Sequence, residues 1–248
     1  MSKAGARVTT ERTASGSALW ARAGIAAHVA LGTFVAGVLL EHVLVSRLSP
    51  ATHQISEYAN DPDAGWVMTV GFVAWSVSLG CAGLRARSSR SKASSAVSWL
   101  LLLASAAMLL TAAFHTQTVA GVVPVGHRLT TSGRLHDLGS GITTLALLGA
   151  AIVSAFALRE HQAFRRFVQV SIVAAVGSDA GLLLIGQSVG GIRERILVAI
   201  GCAWQATYLT LMGHTGKRPG SSHGPGGEVL RNSSTAAAAS EPLRIMSR

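Results

Sequence analysis

Long apolar stretches recur along this chain with only short polar connectors between them, and that alternation restricts the fold more than any other feature. A bilayer core of roughly 30 Å is crossed by a helix of about 20 residues, because only a helix or a closed barrel satisfies its backbone polar groups without water. Windows of that length fall at about Trp20 to Val45, Gly65 to Leu84, Ala96 to Phe114, His136 to Leu158, Phe167 to Ser188 and Ile196 to Met212. No segment alternates like a barrel strand. The expected fold is therefore all-α, a polytopic membrane protein built as a six-transmembrane-helix bundle. Composition agrees: 13% of residues are charged and 49% hydrophobic, about half the charge of an ordinary soluble domain.

The ends read differently. Residues 1–18 are polar, basic and without apolar period, and 214–248 carry Gly, Ser, Pro and an Ala run, so both are expected as disordered cytoplasmic tails flanking a membrane domain over 19–213. The first apolar run is too long for a signal-peptide core and lacks a small-residue cleavage site, so it is expected to be retained. A net charge of +10 would suggest nucleic acid in a soluble protein. Here the basic residues cluster beside apolar spans, where they contact anionic headgroups and set orientation, so membrane lipids rather than nucleic acid are the expected partners. With the N-terminus in the cytoplasm, every Lys and Arg except Arg47, Arg128, Arg134, Arg193 and Arg195 falls on the cytoplasmic side. The positive-inside rule thus predicts a plasma-membrane, multi-pass chain with both termini cytoplasmic. Cys81 and Cys202 lie inside apolar windows and read as small buried hydrophobes.

That topology collects polar groups at the opposite, outer face, including Glu41, His42, His53, Ser56, Glu57, Tyr58, Asp61 and, further on, His136, Asp137, Glu194 and Arg195. His136, Ser140 and Thr144 are spaced i, i+4, i+8 with Thr143 beside them, so one stripe of the fourth span is polar and should face the bundle, not lipid. Asp137 lies about 100° around that helix from His136, so the two do not share one ligand in simple helical geometry. At a helix start it is also placed to cap free amides. Asp179, near mid-span, costs on the order of 2.5–3.5 kcal/mol to insert unless protonated or paired, which makes it a site candidate. Gly190-Gly191 reads as a tight turn leading into the last span, with Arg193 and Arg195 suited to hold Glu57, Asp137 or a lipid phosphate. Gly177-x-x-x-Gly181 and Gly186-x-x-x-Gly190 read as helix-packing pairs. The sequence contains no His-Glu-x-x-His, Gly-x-Ser-x-Gly, phosphate loop or Cys-x-x-Cys, and it names no cofactor.

Three motifs in order, Ser56-Glu57-Tyr58, Leu135-His136-Asp137 and Gly191-Ile192-Arg193-Glu194-Arg195, resemble the bacterial integral-membrane family catalogued as domain of unknown function 998. The resemblance covers about residues 20–213. It implies six membrane helices, no known activity, and Glu57, His136, Glu194 and Arg195 as positions of a shared outer-face site. The family pattern has an acid after the third helix where this chain has Phe114-His115, so His115 is not carried over. Ser56, Glu57, Tyr58, His136, Asp137, Glu194, Arg195 and Asp179 are accordingly the expected contacts for a lipid headgroup or small polar ligand. The alternatives are an outer-face lipid hydrolase or transferase using His136 with Glu57 or Asp137, with or without a metal, and a structural reading in which these residues only lock loops to helix ends.

Overall fold

Apolar helices in a membrane bury little by the hydrophobic effect, so they are held by close backbone approach and by hydrogen bonds between helices. The computed structural model describes the backbone over 3–89, 91–185 and 190–215 and the side chains over 19–89, 91–178 and 190–213. Its elements are α1 (Lys3–Leu44), the single turn α2 (Ile55–Tyr58), α3 (Gly65–Ala86), α4 (Lys92–Ala113), α5 (Thr131–Ala157), α6 (Gln162–Ile185) and α7 (Gly190–Thr215). Apart from one bridge between Val119 and Val122, helices are the only regular structure among the described residues.

Among the described residues five helices are long and apolar enough to cross a membrane: Leu19–Leu44 within α1, then α3, α4, α5, and Gly190–Gly213 within α7. The protein is thus all-helical and multi-pass. Six spans were expected. The remaining one falls on α6, whose side chains from 179 on lie outside the described residues, as do 186–188 at the end of the expected span. Two further boundaries shift. The helix α1 begins at Lys3, so the backbone of the expected N-terminal arm continues as helix. The last helix begins at Gly190, so Gly190-Gly191 is its first turn and not a preceding loop.

α3 lies between α1 and α4, and α4 in turn packs along α5; α6 and α7 lean on this group with far less contact. Close approach is enforced at Gly139 of α5, where an added Cβ would sit 2.6 Å from Thr111 Oγ1 and 2.7 Å from the Ala107 carbonyl of α4. At Gly177 it would meet nothing within 4 Å, so this glycine does not make the helix contact expected of its motif, and Gly181 and Gly186 lie outside the described side chains. Interhelical hydrogen bonds add polar clamps. Ser76 and Ser105 exchange bonds with each other's carbonyls at 2.8 Å, tying α3 to α4. Gln205 of α7 accepts from Trp75 Nε1 (3.0 Å) and donates to Ser78 Oγ (2.7 Å), and Ser78 donates to the Ala27 carbonyl (2.6 Å), linking α7, α3 and α1. Cys81 and Cys202 are free, the latter buried, as expected of small hydrophobes. Changing Gly139→Ala should cost about 1–3 kcal/mol through overpacking. Thermal unfolding in detergent should show the loss, with Gly141→Ala, whose Cβ meets nothing within 4 Å, unchanged.

Candidate functional site

Helix ends leave amides and carbonyls without intrahelical partners, and near a membrane these groups need side chains to satisfy them. At the end of the bundle that carries α2, several of the expected site residues meet that need. Glu41 of α1, 1% exposed, accepts from the Met68 amide in the first turn of α3 (3.1 Å). Asp61 accepts from the Asp63 and Ala64 amides (2.9 and 3.0 Å) just before α3 and pairs with Arg47. The Ala64 amide above all, with the Asp63 amide and Arg47, holds the Asp61 carboxyl below its ordinary range against the opposing effect of burial.

Glu57 is also occupied. It is 5% exposed and receives the Ala120 amide (2.9 Å), the Gly121 amide (2.7 Å) and the Thr118 hydroxyl (3.2 Å). These amides converge because Ala120 and Gly121 both take positive φ, 50° and 77°, which aims successive N–H groups at one anion. Glu194 accepts the Ile55 amide at the start of α2 (2.6 Å). Arg195 donates to the His53 carbonyl (2.8 Å), the Gly191 carbonyl (2.9 Å) and His42 Nε2 (2.8 Å). His42 Nδ1–H donates to the Val38 carbonyl, so Nε2 is the ring acceptor for Arg195. Tyr58 lies between the His42 ring, at 5.3 Å, and the Arg195 guanidinium, at 5.5 Å, and its hydroxyl donates to the Leu48 carbonyl. Burial pushes the Tyr58 phenol up. The expected pairing of Arg195 with Glu57 or Asp137 is not made: backbone amides hold Glu57, and Arg195 commits Nε and Nη1 to His42, His53 and Gly191 while its Nη2 is buried without a hydrogen-bond partner among the described residues.

The remaining site residues line a cavity of about 320 Å³ between α3, α4 and α5 on one side and α6 and α7 on the other. His136, 3% exposed, forms part of its wall and donates from Nδ1–H to the Thr111 (3.1 Å) and Phe114 (2.8 Å) carbonyls, closing the C-terminal end of α4. Two carbonyl partners fix the proton on Nδ1, so the Nε2 lone pair is the one left in the neutral ring. Asp137 is exposed on the same wall, and its carboxylate makes no hydrogen bond or ion pair among the described residues. It does not cap a helix start. α5 begins six residues earlier, where Thr130 Oγ1 accepts the Gly133 amide. Ser56, Glu194 and Arg193 complete the polar mouth. The stripe of Ser140, Thr143 and Thr144 continues the wall, as its spacing predicts.

The structure thus divides the expected site in two. Ser56, His136, Asp137 and Glu194 share the cavity, whereas Glu57, Tyr58 and Arg195 lock the loops beside it. Neither carboxylate considered as a partner for His136 bonds to it. Asp179 belongs to α6, but its side chain lies outside the described residues. Among the described residues no three His, Cys, Asp or Glu side chains come together as a metal site. Sequence reasoning missed Gln54, Thr116, Trp75 and Trp204 as cavity residues. The signal for Trp204 was present in α7, where residues 193, 197, 200, 201 and 204 form one helical face.

A family model described as "Protein of unknown function (DUF998)" matches residues 28–211, which contain all these elements of the site. The chain belongs to this DUF998 family. No curated protein and no solved structure matches it.

Within this DUF998 chain, Glu57 anchors the loop to the α2 turn. Replacing it, Glu57→Gln, turns one of its two acceptor oxygens into an NH2 that faces a backbone N–H while the other oxygen still accepts, a loss of about 1–3 kcal/mol. Hydrogen exchange should speed up at Ala120 and Gly121 while the amides in the middle of α4 stay protected.

Proposed function

We propose that this protein is a six-span plasma-membrane protein, both termini in the cytoplasm, that binds a lipid headgroup or a small polar ligand at the extracytoplasmic mouth of its cavity. The observation that carries the proposal is the wall of α5, where His136, Asp137, Ser140, Thr143 and Thr144 face the cavity from the end bearing α2 inward. An intramembrane polar face is expensive unless it meets a polar group, and here it meets a cavity. Three groups at the mouth have capacity left: the His136 Nε2 lone pair, the Asp137 carboxylate and the Ser56 hydroxyl. Membrane lipids are the partners, and 19–213 acts as the membrane domain, with 1–18 and 214–248 as its cytoplasmic flanks.

Orientation follows from charge. The connectors at the end opposite α2 carry Arg85, Arg87 and Lys92 between α3 and α4, and Arg159, Arg165 and Arg166 around the start of α6. Those belong in the cytoplasm by the positive-inside rule. A membrane-impermeant maleimide added to intact cells should label Val125→Cys, a fully exposed position in the loop before α5, and should reach Ser89→Cys only after permeabilisation. Both would be made in a chain with Cys81 and Cys202 replaced by Ala. The reverse pattern would invert the site to the cytoplasm.

The binding claim is tested with glycerophosphocholine, a headgroup without chains, by calorimetry on protein in fluorinated surfactant. Asp137→Asn should weaken it about tenfold, equivalent to 1.4 kcal/mol, with unfolding temperature unchanged because the carboxylate supports no fold contact. Equal binding by the wild type and the variant, or no binding by either, removes the mouth as a headgroup site.

A further inference from the structure

We infer that the ligand is a single-chain zwitterionic amphiphile whose one acyl chain lies along the cavity toward the middle of the membrane; the inference rests on the proposed headgroup site. Two helices show the same gradient independently. Along α5 the cavity wall runs from His136 and Asp137 through Ser140 to Leu147, Leu148 and Ala151. Along α7 it runs from Arg193 and Glu194 to Leu197, Val198, Gly201 and Trp204. At 1.5 Å per residue the α7 wall is about 16 Å long and the α5 wall from His136 to Ala151 about 22 Å. The cavity is therefore an elongated slot, polar at one end and apolar at the other.

Its floor stays apolar even though two tryptophans form it. Trp204 Nε1 donates to Ser154 Oγ (3.2 Å) and Trp75 Nε1 to Gln205 Oε1 (3.0 Å), so both indole N–H groups are spent on other helices. What faces the slot there is mostly hydrocarbon and aromatic ring, with the Ser171 side chain of α6 among its lining. Water needs two to four polar partners and does not fill such a space, while leaving it empty forfeits the dispersion contacts of its lining. An acyl chain satisfies the floor without needing any hydrogen bond. At 320 Å³ the slot is at the small end of the roughly 300–1,000 Å³ usual for small-molecule sites, which suits one chain with a compact head and not a two-chain lipid. The mouth carries both signs, Arg193 against Asp137, which suits a head bearing phosphate and ammonium together.

The experiment uses the full chain in phosphatidylcholine nanodiscs and a lysophosphatidylcholine with a diazirine near the end of its chain, with crosslinks mapped by mass spectrometry. Crosslinks are expected on α5 at 147–151 and on α7 at 197–204. Gly201→Leu should remove them, since a Cβ at Gly201 meets only Trp75, at 3.9 Å, and a longer side chain grows into the floor. Ala151→Leu fills the same floor from α5 and guards against a folding defect in the first variant. Displacing even two methylenes lowers chain-dependent binding about tenfold. Labels confined to lipid-facing positions such as Leu145, Val170 and Val173, or unaffected by either variant, overturn the inference. If glycerophosphocholine still binds in a manner sensitive to Asp137→Asn, the headgroup site survives that result; if it does not bind, both readings fall.

Discussion

Every helix end in this protein faces the same problem: its free amides and carbonyls must find partners where water is scarce. The end of the bundle bearing α2 solves it with polar side chains borrowed from other segments. Glu41 of α1 serves the start of α3, His136 of α5 serves the end of α4, and Glu194 of α7 serves α2. Arg195 joins the start of α7 to α1 and to the loop before α2. Each contact crosses between elements, so each also fixes the position of one helix against another. Polar residues that look like a chemical constellation in the sequence are, for the most part, the fastenings of the bundle.

Those fastenings explain why a cavity persists. α1, α3, α4 and α5 approach closely through Gly139 and the Ser76–Ser105 exchange, while α7 is tethered at its start by Arg195 and near its middle by Gln205. Between these tethers α6 and α7 stand away from α4 and α5. The Trp204 and Trp75 indoles brace the gap and turn their N–H groups away from it. A space held open by hydrogen-bonded struts does not collapse as a cavity left by deleting a side chain partly would. Rigid walls with a polar mouth and an apolar floor are what a site for an amphiphile requires, and this is the physical basis for the proposed ligand.

Residues within one motif have separate tasks. In Ser56-Glu57-Tyr58, Ser56 faces the cavity, Glu57 gathers the Ala120 and Gly121 amides, and Tyr58 fills the space between His42 and Arg195. His136 combines the two tasks: its Nδ1 secures α4, and the residue forms part of the cavity wall. Among the described residues Asp137 makes no fastening, and it stands as an exposed acid on the cavity wall.

The sequence by itself determined that the chain is a helical, multi-pass membrane protein of the DUF998 family, because span length and hydropathy are local properties and the family motifs are contiguous. It also determined that His136, Ser140 and Thr144 share a face, since a helix repeats every 3.6 residues whatever surrounds it. The tertiary structure decided what that face meets. It decided that Arg195 binds His42, from a residue 153 positions away, and that Glu57 is filled by amides 63 and 64 positions on. The start of α5 at Thr131, five residues before the apolar window begins, turned on the Thr130 cap, and that start moved Asp137 from a helix end to a cavity wall. Pairings of this kind depend on which helices lie side by side and at what height, and no spacing along one chain segment encodes the register between two of them.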